Sequence, residues 1–187
     1  MIKYIKLFFW FIAVRFNYPL PKLKAFLFKI SGHKIGKNVK IREFSFLPNP
    51  LINKVTIGDN TIIGYSCFIE GKGKLTIGSD CFIGPLTFLN LYSNIEISNN
   101  VSIGTSSIIL THDAVISASK REHKTRMDKE GKIIIKDNVS IGSNVIIMPK
   151  VTLEHHCVIG AFSLVNKDCN KRSLYFGIPA KLIKKIV

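Results

Sequence analysis

Aliphatic residues recur at every sixth position through most of this 187-residue chain. That spacing fits neither the roughly 3.6-residue turn of a helix nor the two-residue alternation of a simple strand. In blocks 55–74, 75–94 and 95–114, and again in 133–150 and 151–168, the recurring residues are Ile57, Ile63 and Ile69; Ile77, Ile83 and Leu89; Ile97, Ile103 and Ile109; Ile135, Ile141 and Ile147; and Leu153, Ile159 and Val165. Each block also places Ile-Gly at one fixed offset, at Ile63-Gly64, Ile83-Gly84, Ile103-Gly104, Ile141-Gly142 and Ile159-Gly160.

A coil of three short strands, one per hexad, satisfies this pattern. Each aliphatic side chain points to the axis, and the Gly, Asn, Asp or Ser that follows turns the corner, because these residues tolerate left-handed backbone. One coil cannot bury its own apolar side, so the coils must stack, each strand pairing with its equivalent in the next. The spacing therefore predicts an all-β solenoid of about six coils. The weaker first coil contains Ile35-Gly36 and Ile41 and runs from His33 through the Pro48–Pro50 turn to Lys54.

Residues 1–32 lie outside the repeat and read as a helical segment; 33–187 form the solenoid and its tail. The uninterrupted apolar run Leu7–Val14 is too short to cross a bilayer, and no cleavage site follows it. Lys3, Lys6, Arg15, Lys22, Lys24 and Lys29 alternate with Phe8, Phe9, Trp10, Phe26 and Phe28. Two readings follow: an amphipathic pair of helices on an anionic membrane face, or a cap over the open end of the solenoid.

The formal charge of +15 points to an anionic ligand or surface. Nucleic acid is disfavoured, since no zinc-finger spacing, basic heptad helix or RNA-binding aromatic signature is present. Cys67, Cys81, Cys157 and Cys169 lack metal or disulfide spacing. The first three fill repeat positions that other blocks give to Thr, Val or Ser, as small packing residues of a reducing cytoplasm do. No histidine pair has metal-ligand spacing, so no metal is expected.

One block is interrupted. After Thr111-His112-Asp113 the repeat stops, and it resumes in register at Ile133, which predicts a loop over about 113–132 containing Lys120, Arg121, His123, Lys124 and Arg126. A long excursion from a closed coil costs little in closure entropy and is commonly functional.

The Ile-Gly hexads resemble those of the hexapeptide-repeat acyltransferases, nearest the sugar O-acetyltransferases of the colanic-acid and maltose type. The resemblance covers roughly residues 33–187 and implies a left-handed parallel β-helix assembled as a homotrimer. Thr111-His112-Asp113 resembles the family's histidine motif, which implies His112 as general base, because an imidazole can take the acceptor's proton near neutral pH. Asp113 or a backbone carbonyl would orient it. Phe88-Leu89-Asn90-Leu91-Tyr92 resembles the polysaccharide-acetylating branch, which implies Asn90 near the acceptor, although a corner asparagine is the plainer reading.

The last coils and the tail resemble the coenzyme A site. This implies Ser143 and Ala161 along the pantetheine groove, with Asn166, Lys167, Lys181 and Lys184 nearby, the lysines toward the adenosine phosphates. Gly177-Ile178-Pro179-Ala180-Lys181 resembles the family's closing motif, and a short C-terminal helix is expected after it. The chain departs from the family at Lys150, Ser140, Leu153-Glu154 and Phe162, where Phe162 replaces a glycine and narrows the expected groove.

The implied activity is acetyl transfer from acetyl-CoA to a hydroxyl of a sugar, nucleotide-sugar or glycolipid in capsule, lipopolysaccharide or exopolysaccharide assembly. Open alternatives are N-acetylation of a nucleotide-amino-sugar, acetylation of serine or an antibiotic, and a catalytically silent scaffold. A cytoplasmic protein, peripheral on the inner membrane face in one reading, is expected.

Overall fold

The computed structural model describes residues 2–15, 20–114 and 128–186. From Lys34 onward the chain winds into a left-handed parallel β-helix of six coils with three faces. The first coil contains β1 (Lys34–Ile35) and β2 (Lys40–Ile41) and closes through a single bridge from Phe46 to Phe68. The second coil is β3 (Val55–Ile57), β4 (Ile62–Ile63) and β5 (Phe68–Gly71); the third is β6 (Leu75–Ile77), β7 (Phe82–Ile83) and β8 (Phe88–Leu91). The fourth is β9 (Ile95–Ile97), β10 (Ser102–Ile103) and β11 (Ile108–Leu110), interrupted by an antiparallel ribbon, β12 (His112–Ala114) with β13 (Asp128–Glu130). The fifth and sixth are β14 (Ile133–Ile135), β15 (Ser140–Ile141), β16 (Ile146–Ile147) and β17 (Thr152–Leu153), β18 (Val158–Ile159), β19 (Leu164–Val165).

Each strand pairs in parallel with its equivalent one coil away, in the register of the hexads: Ile57 with Ile77, Ile77 with Ile97, Ile97 with Ile135, and Ile135 with Leu153. All fifteen recurring aliphatic residues are buried. Asn38, Asn60, Asp80, Asn100, Asn138 and His156 have positive φ at the first corner, and Phe44, Ser66, Leu86, Ser106, Asn144 and Phe162 at the second. The first corner is also laced along the axis by carboxamides: Asn38 Nδ2 donates to Asn60 Oδ1 at 3.2 Å, Asn60 Nδ2 to Asp80 Oδ1 at 3.0 Å, and Asn100 Nδ2 to Asn138 Oδ1 at 2.7 Å. The Ile-Gly glycines have a packing reason, since a Cβ on Gly104 would lie 2.5 Å from the Gly142 carbonyl carbon.

All four cysteines are buried, Cys67, Cys81 and Cys157 at the repeat positions expected to pack. Burial pushes the Cys67 and Cys81 thiols above their ordinary range. The Cys169 thiol is also pushed up, first by its contact with Cys157 and then by burial.

The two ends are closed differently. At the start, α1 (Ile2–Arg15) and α2 (Pro21–Ser31) lie together, and α2 packs on β1 and β2 through Ala25, Leu27 and Phe28, while Trp10 Nε1 donates to the Leu47 carbonyl at 3.2 Å. Helix α2 thus lies against the first coil. At the other end the expected C-terminal helix is not formed. Residues Lys181–Lys185 are strand β21, antiparallel to β20 (Ser173–Phe176), which itself adds a rung beside β18. Five residues are too few for a stable helix, whereas the open edge of β20 offers them a ladder of backbone partners.

Beneath α2, His33 is 3% exposed; its Nδ1 accepts from the Val55 amide at 3.2 Å, and its ring meets Phe28 edge-on. Burial lowers its pKa from 6.5 to about 4, partly offset by the Pro48 carbonyl. Unfolding restores the ordinary value, so between pH 6.5 and about 4 the unfolded chain binds a proton that the folded chain refuses. The contribution of this group is complete above pH 6.5 and is lost as the pH falls toward 4. Thermal melts across that window should show a loss of about 3 kcal/mol that His33→Gln, which keeps an acceptor for Val55, removes.

Candidate functional site

The third corner of the solenoid, between the face carrying β5, β8 and β11 and the face carrying β6, β9 and β14, is wider than the other two. The two residues by which the blocks 55–74 and 75–94 exceed the blocks 133–150 and 151–168 are accommodated there, and β5 and β8 are four residues long where β16 and β19 are two. Gly71 makes the turn in the second coil with φ +126°, and a Cβ there would lie 2.3 Å from the Leu91 carbonyl oxygen. The ribbon β12–β13 leaves the solenoid from this corner in the fourth coil.

His112 is the first residue of that ribbon. It is half-buried and paired in register with Glu130, while the neighbouring backbone is closed by the Gly131 amide donating to the Thr111 carbonyl at 3.0 Å. Its imidazole stacks on Tyr92 of the coil below, with ring centroids 4.4 Å apart and planes inclined by 27°. The Thr111 hydroxyl, fully buried, fixes this arrangement. It donates to the Asn90 carbonyl at 2.7 Å, lies 3.3 Å from Asn90 Oδ1, and accepts from the Ser93 amide at 2.9 Å. The third and fourth coils are thus tied at the point where His112 and Tyr92 meet.

Asn90 lies on β8 opposite Leu110 of β11, half-buried, and its Oδ1 also accepts from the Tyr92 amide at 3.4 Å. It is a strand residue of the widened corner and not one of the left-handed corner asparagines. Asp113 follows His112 on the ribbon, opposite Lys129. The basic loop residues Lys120, Arg121, Lys124 and Arg126, with His123, lie outside the described residues.

The other expected site residues fall in three places. Asn166 and Lys167 lie at the third corner two coils above His112, both exposed. Lys150, between them in the fifth coil, lays its side chain along Gly131 at the base of the ribbon, where an added Cβ would come within 2.3 Å of Lys150 Cγ. Ser143 and Ala161 sit at the second corner, one coil apart, so within one chain they are separated from His112 by the width of the face carrying β11 and β16. Phe162 is 66% exposed beside them, with φ +57° and its amide bonded to the Ser143 carbonyl at 2.9 Å. Lys181 and Lys184 are exposed on β21.

Tyr92 was not among the residues expected to act, although the register contained the signal: it stands at the same offset in 75–94 as His112 in 95–114. His155 sits at the first corner of the sixth coil with its side chain partly exposed and Nδ1 3.3 Å from Asp137 Oδ2. Among the described residues no group of three His, Cys, Asp or Glu side chains is placed to hold a metal ion.

Chemically, the corner offers a half-buried imidazole held by stacking and by a rigid backbone, with an aromatic ring and a carboxamide in the coil below. An imidazole so placed can accept a proton from a polar group that reaches this corner.

Residues 132–167 match the family model for bacterial transferase hexapeptide (six repeats). The chain is 30% identical over 162 residues to a dTDP-4-amino-4,6-dideoxy-D-glucose acyltransferase of Escherichia coli, covering 87% of this chain and 76% of that protein. It is also 30% identical over 129 residues to the galactoside O-acetyltransferase of Escherichia coli (strain K12), which accounts for 66% of this chain and 63% of that protein. The chain thus spans less than two thirds of the length of the galactoside enzyme. A mutant of AntD, an N-acyltransferase from Bacillus cereus solved in complex with dTDP and coenzyme A, superposes with a TM-score of 0.76 at 28% identity over 91% of each chain.

Two measurements probe the corner itself. Tyr92→Ala should move the His112 ring-proton resonances downfield, as the ring-current shift of the stack is lost, without changing the melting temperature by more than a surface substitution does. Thr111→Val, which strands the Ser93 amide, should cost about 1 to 3 kcal/mol in denaturant unfolding.

Proposed function

This chain belongs to the hexapeptide-repeat transferase family, and from that premise we propose that it transfers an acetyl group from acetyl-CoA to a sugar hydroxyl during capsule, lipopolysaccharide or exopolysaccharide assembly. The observation that carries the reading is His112, placed at the one interrupted coil and held by Tyr92 and Thr111.

In a ternary complex His112 accepts the proton of the acceptor hydroxyl as its oxygen attacks the thioester carbonyl. The Asn90 carboxamide or a backbone amide of the corner stabilises the oxyanion. Collapse expels the coenzyme A thiolate, which takes back the proton from the imidazolium. Asp113, adjacent on the ribbon, or a backbone carbonyl orients the imidazole, and the Tyr92 ring offers an apolar platform for a sugar.

The donor would lie along the small residues Ser143 and Ala161, with Asn166 toward pantetheine and Lys167, Lys181 and Lys184 toward the phosphates. Because Ser143 and Ala161 stand at a different corner from His112, the groove is completed by a second copy of the chain, consistent with a homotrimer. A surface suited to that contact runs along one face: Phe68, Phe88, Ile108, Ile146 and Leu164 stack in register on its outer side. Buried free thiols suit a cytoplasmic setting, where acetyl-CoA is made.

N-acylation of a nucleotide-linked amino sugar is the second reading. It is supported by the dTDP-amino-sugar acyltransferase and AntD, which match 87% and 91% of the chain at 30% and 28% identity. Thiol release from acetyl-CoA, followed with a panel of neutral sugars, lipid-linked saccharides and nucleotide-amino-sugars, separates the two by which acceptor supports turnover. His112→Ala should lower that turnover by about a hundredfold or more while the calorimetric binding of acetyl-CoA persists. Undiminished turnover in this variant would remove His112 from the mechanism.

A further inference from the structure

The helical pair at the first coil covers the solenoid with one side only. Helix α2 is amphipathic and buries Ala25, Leu27 and Phe28, and α1 turns Ala13 and the partly buried Phe9, Trp10, Ile12 and Val14 toward the core, which leaves its other side open. Ile2, Tyr4, Ile5, Phe8 and Phe11 are between 48% and 74% exposed, and Leu23 and Phe26 of the adjoining α2 are 37% and 55% exposed. An apolar patch of this extent is uncommon on a monomer's surface without a partner. No described helix is long and apolar enough to cross a membrane.

The charges around the patch select the partner. Residues 1–42 contain ten Lys and Arg and no Asp or Glu, whereas residues 43–187 contain seventeen and twelve. Lys3, Lys22 and Lys29 are exposed among the apolar residues, and Lys6 is half-exposed. Protein interfaces deplete lysine at their centre. A second copy docked hairpin to hairpin would bring two all-basic segments together with no carboxylate to pair them. Interleaved aromatic and lysine side chains on a helix suit instead the boundary of a bilayer, where the rings enter the acyl region and the ammonium groups reach lipid phosphates. A cleft of 410 Å³ beside the start of α2, lined by Leu20, Pro21, Lys22, Lys40, Arg42 and Glu43, adds Lys40 and Arg42 to Lys22 against one carboxylate at the rim.

We propose that the α1–α2 hairpin docks this protein onto an anionic phospholipid bilayer, with the first coil toward the lipid and the solenoid projecting from it. His112 lies in the fourth coil, three rises of about 4.8 Å from the first, so the third corner stands about 14 Å beyond β1 and β2. A saccharide carried on a lipid would be met at that height; this corollary rests on the acetyl-transfer reading, and the docking does not.

Full-length protein sedimented with vesicles of phosphatidylcholine containing phosphatidylglycerol tests the proposal. It should pellet with these vesicles and remain in the supernatant with phosphatidylcholine alone, and added salt should weaken binding. Lys3→Glu with Lys6→Glu should raise the half-saturating lipid concentration about tenfold or more, and Phe8→Ser with Phe11→Ser should abolish pelleting. Circular dichroism melts should show both variants folded. Wild-type protein left in the supernatant, or a folded Phe8→Ser, Phe11→Ser variant that pellets as before, overturns the proposal. So does a lipid-free oligomer in sedimentation velocity that this variant dissolves, which would assign the patch to a second copy. Acetyl-CoA titration of the same variants should be unchanged; loss of donor binding in wild type would count against the acyl-transfer reading and leave the vesicle result standing.

Discussion

Parallel stacking of equivalent strands governs this molecule. Each coil passes its amides to the carbonyls of a neighbouring coil, as when Gly64 donates to Ile83, Gly84 to Ile103, Gly104 to Ile141 and Gly142 to Ile159. The coils must therefore superimpose, and any residue that changes the corner geometry is repeated through the stack or excluded. That requirement accounts for glycine where backbones nearly touch. It also accounts for residues as bulky as Leu86, Phe162 and Lys150 being held in left-handed conformations that cost on the order of 1 to 3 kcal/mol each elsewhere. The stacked neighbours over-determine the backbone at those points.

Against such regularity the third corner is an exception with a purpose. The wider second and third coils provide the longer β5 and β8, and β8, with Tyr92 directly after it, brings Asn90 and Tyr92 to the place where the fourth coil opens into its ribbon. The rigidity of the stack then positions His112: Thr111 is tied to the coil below by three contacts, and the imidazole has an aromatic floor. A loop alone would hold a base loosely, whereas a loop leaving a solenoid inherits the order of its first residue. The ends of the stack obey the same rule in reverse. Open edges would template further pairing, so α2 covers one and the β20–β21 hairpin completes the other.

Much of this was legible in the sequence because the six-residue period is a direct imprint of a backbone geometry. The axial residues, the corners, the weak first coil near His33 and the break at His112 all follow from register alone. Asn90 was placed in the correct coil, but its strand position and its contacts with Thr111 were not visible, because corner and strand asparagines look alike in a list. The tail misled: the closing motif suggested a helix, and only the unpaired edge of β20 made strand the better state for Lys181–Lys185.

What the sequence by itself determined is therefore whatever repeats, since each block is constrained by every other block and the pattern is over-sampled. What only the tertiary structure decided is whatever occurs once. The stacking of Tyr92 on His112, the distance across a face between Ser143 and His112, and the outward turn of Phe8 and Phe11 depend on single side chains meeting across coils or failing to be covered. No periodicity encodes those encounters, because they arise from the packing of residues far apart in the chain.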